Sequence, residues 1–357
     1  MSENSKSSKN YIISYFSLII MGLSVLILFS LYVQPVEGDL TRIGGYSERN
    51  YGWNLPQEVL NPNFSTERTY DKYYDIVILG DSFSISGIWQ AYFTAHTDLS
   101  YTTLSWDNAT VKDILNNPNF INTPPKLFVV ESGVRYLSLR FYSKAQTCPA
   151  SNSSRFSTEW LTKSGEHDNL FIKRSRDTSI DLTKINLKFA LHYIENSLFR
   201  LIFNNDFSKV KKYALTRNDL FSNIISSDIL LLQTWSSKNN LTPDKLSAAI
   251  CEVSNVQNLV QNNGKTIFVF MPIPEKGSAY LNYILEPEFT ALNVDQELIN
   301  NNVNTPKLEM LIKKAIDGGE KDLYLPNDTH FGYKGYQLTA TALYQLLRDL
   351  GVAIKYN

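Results

Sequence analysis

Tyr73-Tyr74-Asp75-Ile76-Val77-Ile78-Leu79-Gly80-Asp81-Ser82-Phe83-Ser84 passes from an apolar, β-branched run straight into a glycine turn and a hydroxyl. A buried strand over about 74–79 followed by a helix over Ile85 to Ala95 would lift Ser82 onto the turn between them. Near the far end of the chain, Asn327-Asp328-Thr329-His330 precedes Gly335 and an amphipathic stretch. Ser82, His330 and Asp328 supply the nucleophile, base and orienting carboxylate that acyl transfer through a serine requires. The other histidines, His96, His167 and His192, read as surface or packing residues.

Outward from that turn the pattern repeats. Ser100 to Ser105 reads as a second strand, followed by Trp106-Asp107-Asn108-Ala109-Thr110 and a helix over about 110–116. Lys126 to Val130 reads as a third strand, ending in Glu131-Ser132-Gly133-Val134-Arg135. Strand and helix alternating at this spacing imply an α/β fold with a parallel sheet and crossover helices. Ligands in such sheets bind beyond the carboxyl ends of the strands. Ser82, the Asp107–Thr110 turn and the Glu131–Arg135 turn are therefore expected to meet there.

Later in the chain, a helix is expected from Thr242 to Asn262 with Gly264 beyond it. A strand follows from Thr266 to Phe270, closed by Met271-Pro272-Ile273-Pro274, then helices over about 306–316 and 334–349. Between the halves, about 141–240 reads as an insertion, polar at first and then helical over 181–205 and 217–235. Ile224 to Leu232 reads as a short core helix.

Tyr11 to Val33 carries no charge and no proline. Its 23 or so residues, at ~1.5 Å each, span about 35 Å, enough to cross a bilayer. The apolar run is too long for a signal peptide, and no small-residue cleavage site follows it. Lys6 and Lys9 precede it, whereas Glu37, Asp39 and Arg42 follow, which places 1–10 in the cytoplasm and 71–357 outside. Residues 34–70, rich in Gly, Asn and aromatics, read as an ordered extended segment beside the membrane.

The 357 residues carry a formal net charge of -1, which gives no electrostatic footprint for nucleic acid. No glycine-rich phosphate loop or metal-ligand spacing appears, so no cofactor and no metal are expected. Cys148 and Cys251 are too few for a disulfide framework, although the pair could close one bridge.

Gly80-Asp81-Ser82-Phe83-Ser84 and Asp328-Thr329-His330 resemble the first and last blocks of the SGNH hydrolase superfamily. Further likeness points to the SGNH-like domain of the alginate O-acetyltransferase family. It rests on Gly38-Asp39-Leu40-Thr41-Arg42-Ile43-Gly44-Gly45-Tyr46-Ser47-Glu48, on Glu131 with Arg135, and on Pro272, Pro274-Glu275-Lys276 and Tyr280. The resemblance implies an SGNH-like (flavodoxin-like) parallel sheet with flanking helices behind one N-terminal transmembrane helix. It implies a periplasmic domain on the bacterial inner membrane, and O-acetylation of an exopolysaccharide or cell-wall glycan through an acyl-serine. The acyl group would come from a multi-pass membrane acyltransferase. In the alginate proteins the Asp-His block precedes the serine, and here it follows, so the acceptor need not be alginate. Asn108, Glu131 and Arg135 are the candidates for binding the oxyanion or substrate. An acetylesterase would use the same triad with water, and a non-catalytic glycan-binding or assembly subunit would keep only the fold.

Overall fold

The computed structural model describes residues 3–33, 37–64, 66–95, 99–141, 159–161, 170–177, 179–203, 206, 208–233 and 241–355. His96, His167 and Cys148 lie outside the described residues. Four parallel strands form the central sheet: β1 (Ile76–Gly80), β2 (Tyr101–Ser105), β3 (Leu127–Gly133) and β4 (Ile267–Ile273), in the order β2-β1-β3-β4. Ile76 of β1 is in register with Tyr101 on one side and Leu127 on the other, and Leu127 with Ile267.

The near-continuous apolar runs follow from burial on both faces. Ile76, Ile78, Val129 and Val269 point into one core with Trp89, Phe93, Ile312 and Leu343. Their neighbours Val77, Leu79, Phe128, Val130 and Phe268 point into a second core with Ile114, Ala249 and Val253. Alternate residues thus serve opposite faces, and no polar side is left to give a period of two.

Helices used below are α1 (Glu3–Val33), α2 (Asp39–Gly44), α3 (Ser82–Ile85), α4 (Ile88–Thr94), α5 (Val111–Leu115), α6 (Leu187–Phe203), α7 (Pro243–Gln261), α8 (Leu308–Asp317) and α9 (Tyr333–Asp349). A capping box on Thr110 and Asp113 starts α5, and the Thr242 hydroxyl caps α7. Within α1, Asn10–Val33 has a mean hydropathy of 2.5 and is long and apolar enough to cross a membrane.

Several sequence expectations are corrected. The helix expected from Ile85 breaks in two because Gly87 takes φ +73, where an added Cβ would also meet Thr66 at 2.6 Å. β3 runs on to Gly133 and β4 through Pro272 to Ile273. A proline is tolerated in β4 because that strand lies at the sheet edge. Residues 34–70 are not wholly extended: α2, a second turn of helix at Glu48–Tyr51 and a strand at Gln57–Leu60 lie within them. Each helix there is too short to display a 3.6-residue period.

The stretch 217–235, expected as helix, contains a strand instead. Asp228–Leu232 pairs antiparallel with Val210–Ala214. Ile229 and Leu231 enter the first core, while Leu230 joins Leu40, Tyr46, Tyr51 and Val210 in a third. Burial on both sides gives a short apolar run that pattern alone cannot tell from a helix. On α7, Cys251 is buried and disulfide-bonded. Ile78→Ala, at the centre of the sheet, should lower unfolding stability by about 2–5 kcal/mol, read from the denaturant midpoint.

Candidate active site

β1 ends at Gly80, and the chain turns at once into α3. An added Cβ on Gly80 would lie 2.7 Å from Glu131 Oε2 and 2.6 Å from Ser84 Oγ. Only glycine lets the turn sit this close to its neighbours. Asp81 caps α3 by accepting from the Phe83 N–H at 3.2 Å. Its other oxygen accepts from the Gly133 N–H at 2.9 Å and from Arg140 Nη1 at 3.1 Å. Ser82, next in the chain, is exposed.

Ser82 Oγ lies 2.7 Å from His330 Nε2, and His330 Nδ1 lies 2.7 Å from Asp328 Oδ1. The carboxylate beside Nδ1 fixes the tautomer: Nδ1–H donates to Asp328, and the Ser82 hydroxyl donates to Nε2. Asp328 Oδ1 also accepts from its neighbour's backbone, the His330 N–H, at 3.0 Å. Phe83 packs against the imidazole with ring centroids 4.9 Å apart.

Burial opposes the imidazolium, but the hydrogen bond and charge of Asp328 outweigh it and raise the His330 pKa above its ordinary 6.5, with Asp39 adding to the effect. Burial likewise pushes Asp328 up, and its hydrogen bond and ion pairing with His330 overcome that to leave it below the usual carboxylate range. The raised histidine contributes stability that is complete below its unfolded pKa and lost as pH rises through the folded one. The lowered aspartate contributes above its unfolded pKa and loses that as pH falls through the folded one.

The loop carrying this pair is held from two directions. The N–H of Asp39 reaches Asp328 Oδ2 at 3.2 Å, and the N–H of Leu40 reaches the Asn327 carbonyl at 3.0 Å. Asn327 in turn donates to the buried Glu48 carboxylate, which also accepts from the Thr41 hydroxyl at 2.5 Å. From the other side, Lys276 Nζ lies 2.9 Å from the carbonyls of Leu325 and Pro326 and 3.3 Å from that of Asp328. Burial draws its pKa down to about 7. Three carbonyls facing one nitrogen require the ammonium form, the only one with three donors.

Of the candidate residues, the structure brings Ser82, Asp328 and His330 together and separates the remaining three in role. Asn108 stands exposed in the turn after β2, and its side chain joins none of the triad's hydrogen bonds. Glu131 cannot meet a substrate: it lies within β3, completely buried, and its Oε2 accepts the Asp81 N–H at 2.9 Å. Burial and then the Asp81 charge push its pKa well above the usual carboxylate value. The expectation failed because β3 continues past Val130 and turns this side chain inward. Arg135 remains in place. It pairs with Glu275 at 3.5 Å, Nε and Nη1 make no hydrogen bond among the described residues, and its charge is felt at His330.

Sequence reasoning assigned no site role to Asp81, Asn327 or Arg140. The signal for the first two was adjacency, because each stands next to a triad residue and is polar in an otherwise apolar setting. Comparison with protein-family models, curated proteins and solved structures gives no match.

The His330 imidazole, followed by NMR, should titrate above 6.5, and Asp328→Asn should move its midpoint downward. An unchanged midpoint would remove Asp328 as its partner.

Proposed function

We propose that this protein is a membrane-anchored O-acyltransferase of the SGNH type, acetylating a bacterial exopolysaccharide or cell-wall glycan from the periplasmic side of the inner membrane. The observation that carries the reading is the continuous chain Asp328–His330–Ser82, with both contacts at 2.7 Å beyond the carboxyl end of β1. Such an assembled triad supports catalysis over a purely glycan-binding or assembly role.

In the first half-reaction Ser82 Oγ attacks the carbonyl carbon of the acyl donor, and its proton passes to His330 Nε2. Asp328 stabilises the imidazolium that forms. The tetrahedral intermediate expels the donor's leaving group, which takes the proton from Nε2, and acyl-serine remains. A sugar hydroxyl then attacks this ester and gives its proton to Nε2. Collapse returns the proton to Ser82 and releases the acylated sugar.

Each intermediate carries an oxyanion that needs donors. The Ser82 N–H, at the first position of α3, is engaged by no hydrogen bond among the described residues. Arg135 is the second donor in this reading. Its Nε makes no hydrogen bond among the described residues, its Nη1 faces Glu275 at 3.5 Å, and its charge is felt at His330.

One feature favours transfer over hydrolysis. Ser82 is exposed, which admits a polymer approaching along a surface in either reaction, so the preference for transfer rests on the anchor. A tethered domain meets acyl groups delivered by a multi-pass membrane partner at high effective concentration. A free deacetylase would gain nothing from that tether.

Given a soluble acetyl donor and candidate oligosaccharides, the full-length protein should form acetylated sugar faster than it releases acetate. Ser82→Ala should lower turnover by about 10³-fold or more. Release of acetate alone with every glycan tried would replace transferase with esterase, and unchanged turnover in the variant would remove Ser82 from the chemistry.

The base must be neutral, so the rate should rise with pH through the His330 pKa. Because Asp328 raises that pKa, the rising limb should be centred above 6.5. A flat profile between about pH 5 and 8 would exclude histidine as the base.

A further inference from the structure

α6 has two unlike faces. Phe189, Ala190 and Asn196 are buried on its inner side. On its outer side Leu187, Leu191, Ile194, Leu198 and Leu201 recur at spacings of four and three, so they form one stripe along the helix. Within it Leu191, Leu198 and Leu201 are 56%, 51% and 81% exposed, and Ile202 and Phe203 continue the surface at 69% and 62%. Single exposed leucines are ordinary, but a stripe in which three of five apolar residues are exposed and the other two, Leu187 and Ile194, are half-buried marks a surface that is covered in use.

The neighbouring element identifies the cover. α6 packs on the last turn of α1: Phe29 and Tyr193 have ring centroids 5.7 Å apart, and the Asn186 N–H, just ahead of α6, donates to Ser30 Oγ at 2.9 Å. The apolar window of α1 ends at Val33. Phe29 and Ser30 therefore lie about 4.5–6 Å inside its end, at 1.5 Å per residue. An amphipathic helix resting at a membrane surface buries its apolar face about 5–10 Å into the boundary between headgroups and acyl chains. The start of α6 stands at that depth, and its exposed stripe extends the lipid-facing surface of the span.

We infer that α6 is an interfacial helix, lying on the bilayer with its leucine stripe in the headgroup–acyl boundary. This rests on the anchored reading given above. It also adds a consequence, because the inner face of α6 grips the segment that holds the triad. Arg200 donates to the carbonyls of Gly44 and Gly45 at 3.0 and 2.9 Å, and His192 Nε2 bonds the Ile43 carbonyl at 3.1 Å. Those residues end α2, whose first residue supplies the N–H on Asp328. The membrane surface, α6, α2 and Asp328 form one contiguous series of contacts. It fixes the height and tilt of Ser82 relative to the bilayer from which an acyl group would come.

The test uses the full-length chain in nanodiscs of phosphatidylcholine and phosphatidylglycerol. An environment-sensitive fluorophore is placed on one introduced cysteine at a time, under non-reducing conditions that keep the Cys251 disulfide. Leu28→Cys reports on the span, Leu198→Cys on the stripe, and Leu259→Cys on exposed surface of α7. Lipid carrying a nitroxide near the top of its acyl chain should quench the Leu28 and Leu198 probes and spare the Leu259 probe. Quenching at Leu28 with a solvent-exposed, unquenched probe at Leu198 overturns the inference while leaving the anchor. A Leu198 probe that is dry but unquenched shows a protein partner or second copy on the stripe, and also overturns it. Loss of quenching at Leu28 removes the anchor and the inference together.

Discussion

The Asp328 carboxylate joins segments 289 residues apart, accepting the Asp39 N–H on one oxygen while the other orients His330. The observed orientation of His330 depends on that one group being in place, and contacts from distant parts of the chain help to place it. Glu48, Thr41 and Leu40 act on Asn327 from the N-terminal side, and Lys276 acts on the carbonyls of 325, 326 and 328 from beyond β4. A buried acid and a buried base thus hold one loop from opposite flanks. Each is costly to bury alone, and each is satisfied only when the loop is in its observed position. The arrangement selects one conformation more than it adds stability.

The same principle works beneath Ser82. Asp81 and Glu131 are close enough that only one of them ionises comfortably. Burial raises Glu131, while hydrogen bonds from Glu131 and Gly133 and the charge of Arg140 lower Asp81 against its own desolvation. Arg140 completes the turn by spanning Asp81 and Ser132. Gly80 allows the approach. The nucleophile's position is therefore set by a polar network under it and by a histidine above it, both reached from other parts of the chain.

This division explains what could be read in the sequence. That Ser82, Asp328 and His330 would meet was legible because a serine triad needs fixed residue types next to recognisable turns. The central strands were legible because parallel strands buried on both faces are apolar throughout. Their ends were not: β3 and β4 carry Glu131, Ser132 and Pro272 inside the sheet, and polarity at those positions looks like a loop until the partner groups are known. Glu131 was misplaced for that reason alone. Asp228–Leu232 was mistaken for helix because its two faces enter different cores. The clamp by Glu48 and Lys276 is a tertiary property, and single residues in a linear string carry no sign of the carbonyls and amides they will meet.

An exposed Ser82 constrains how the proposed transfer can work. Water reaches an acyl-serine on an open surface freely, so preference for a sugar cannot rest on keeping water out. It must rest on positioning, which can supply effective molarities of about 10⁵–10⁸ M. Positioning needs rigid surfaces, and the structure has one beside the site. The Tyr136 ring lies beside two guanidinium groups, with Arg135 at 5.2 Å and Arg140 at 4.9 Å from its centroid, and remains 39% exposed. Those arginines are pinned by Glu275 and Asp81. An exposed ring fixed in this way can meet an acceptor at little entropic cost. Arg140, which pairs with Asp81 in the Ser82 turn, therefore also stiffens the surface on which an acceptor would rest in the proposed transfer.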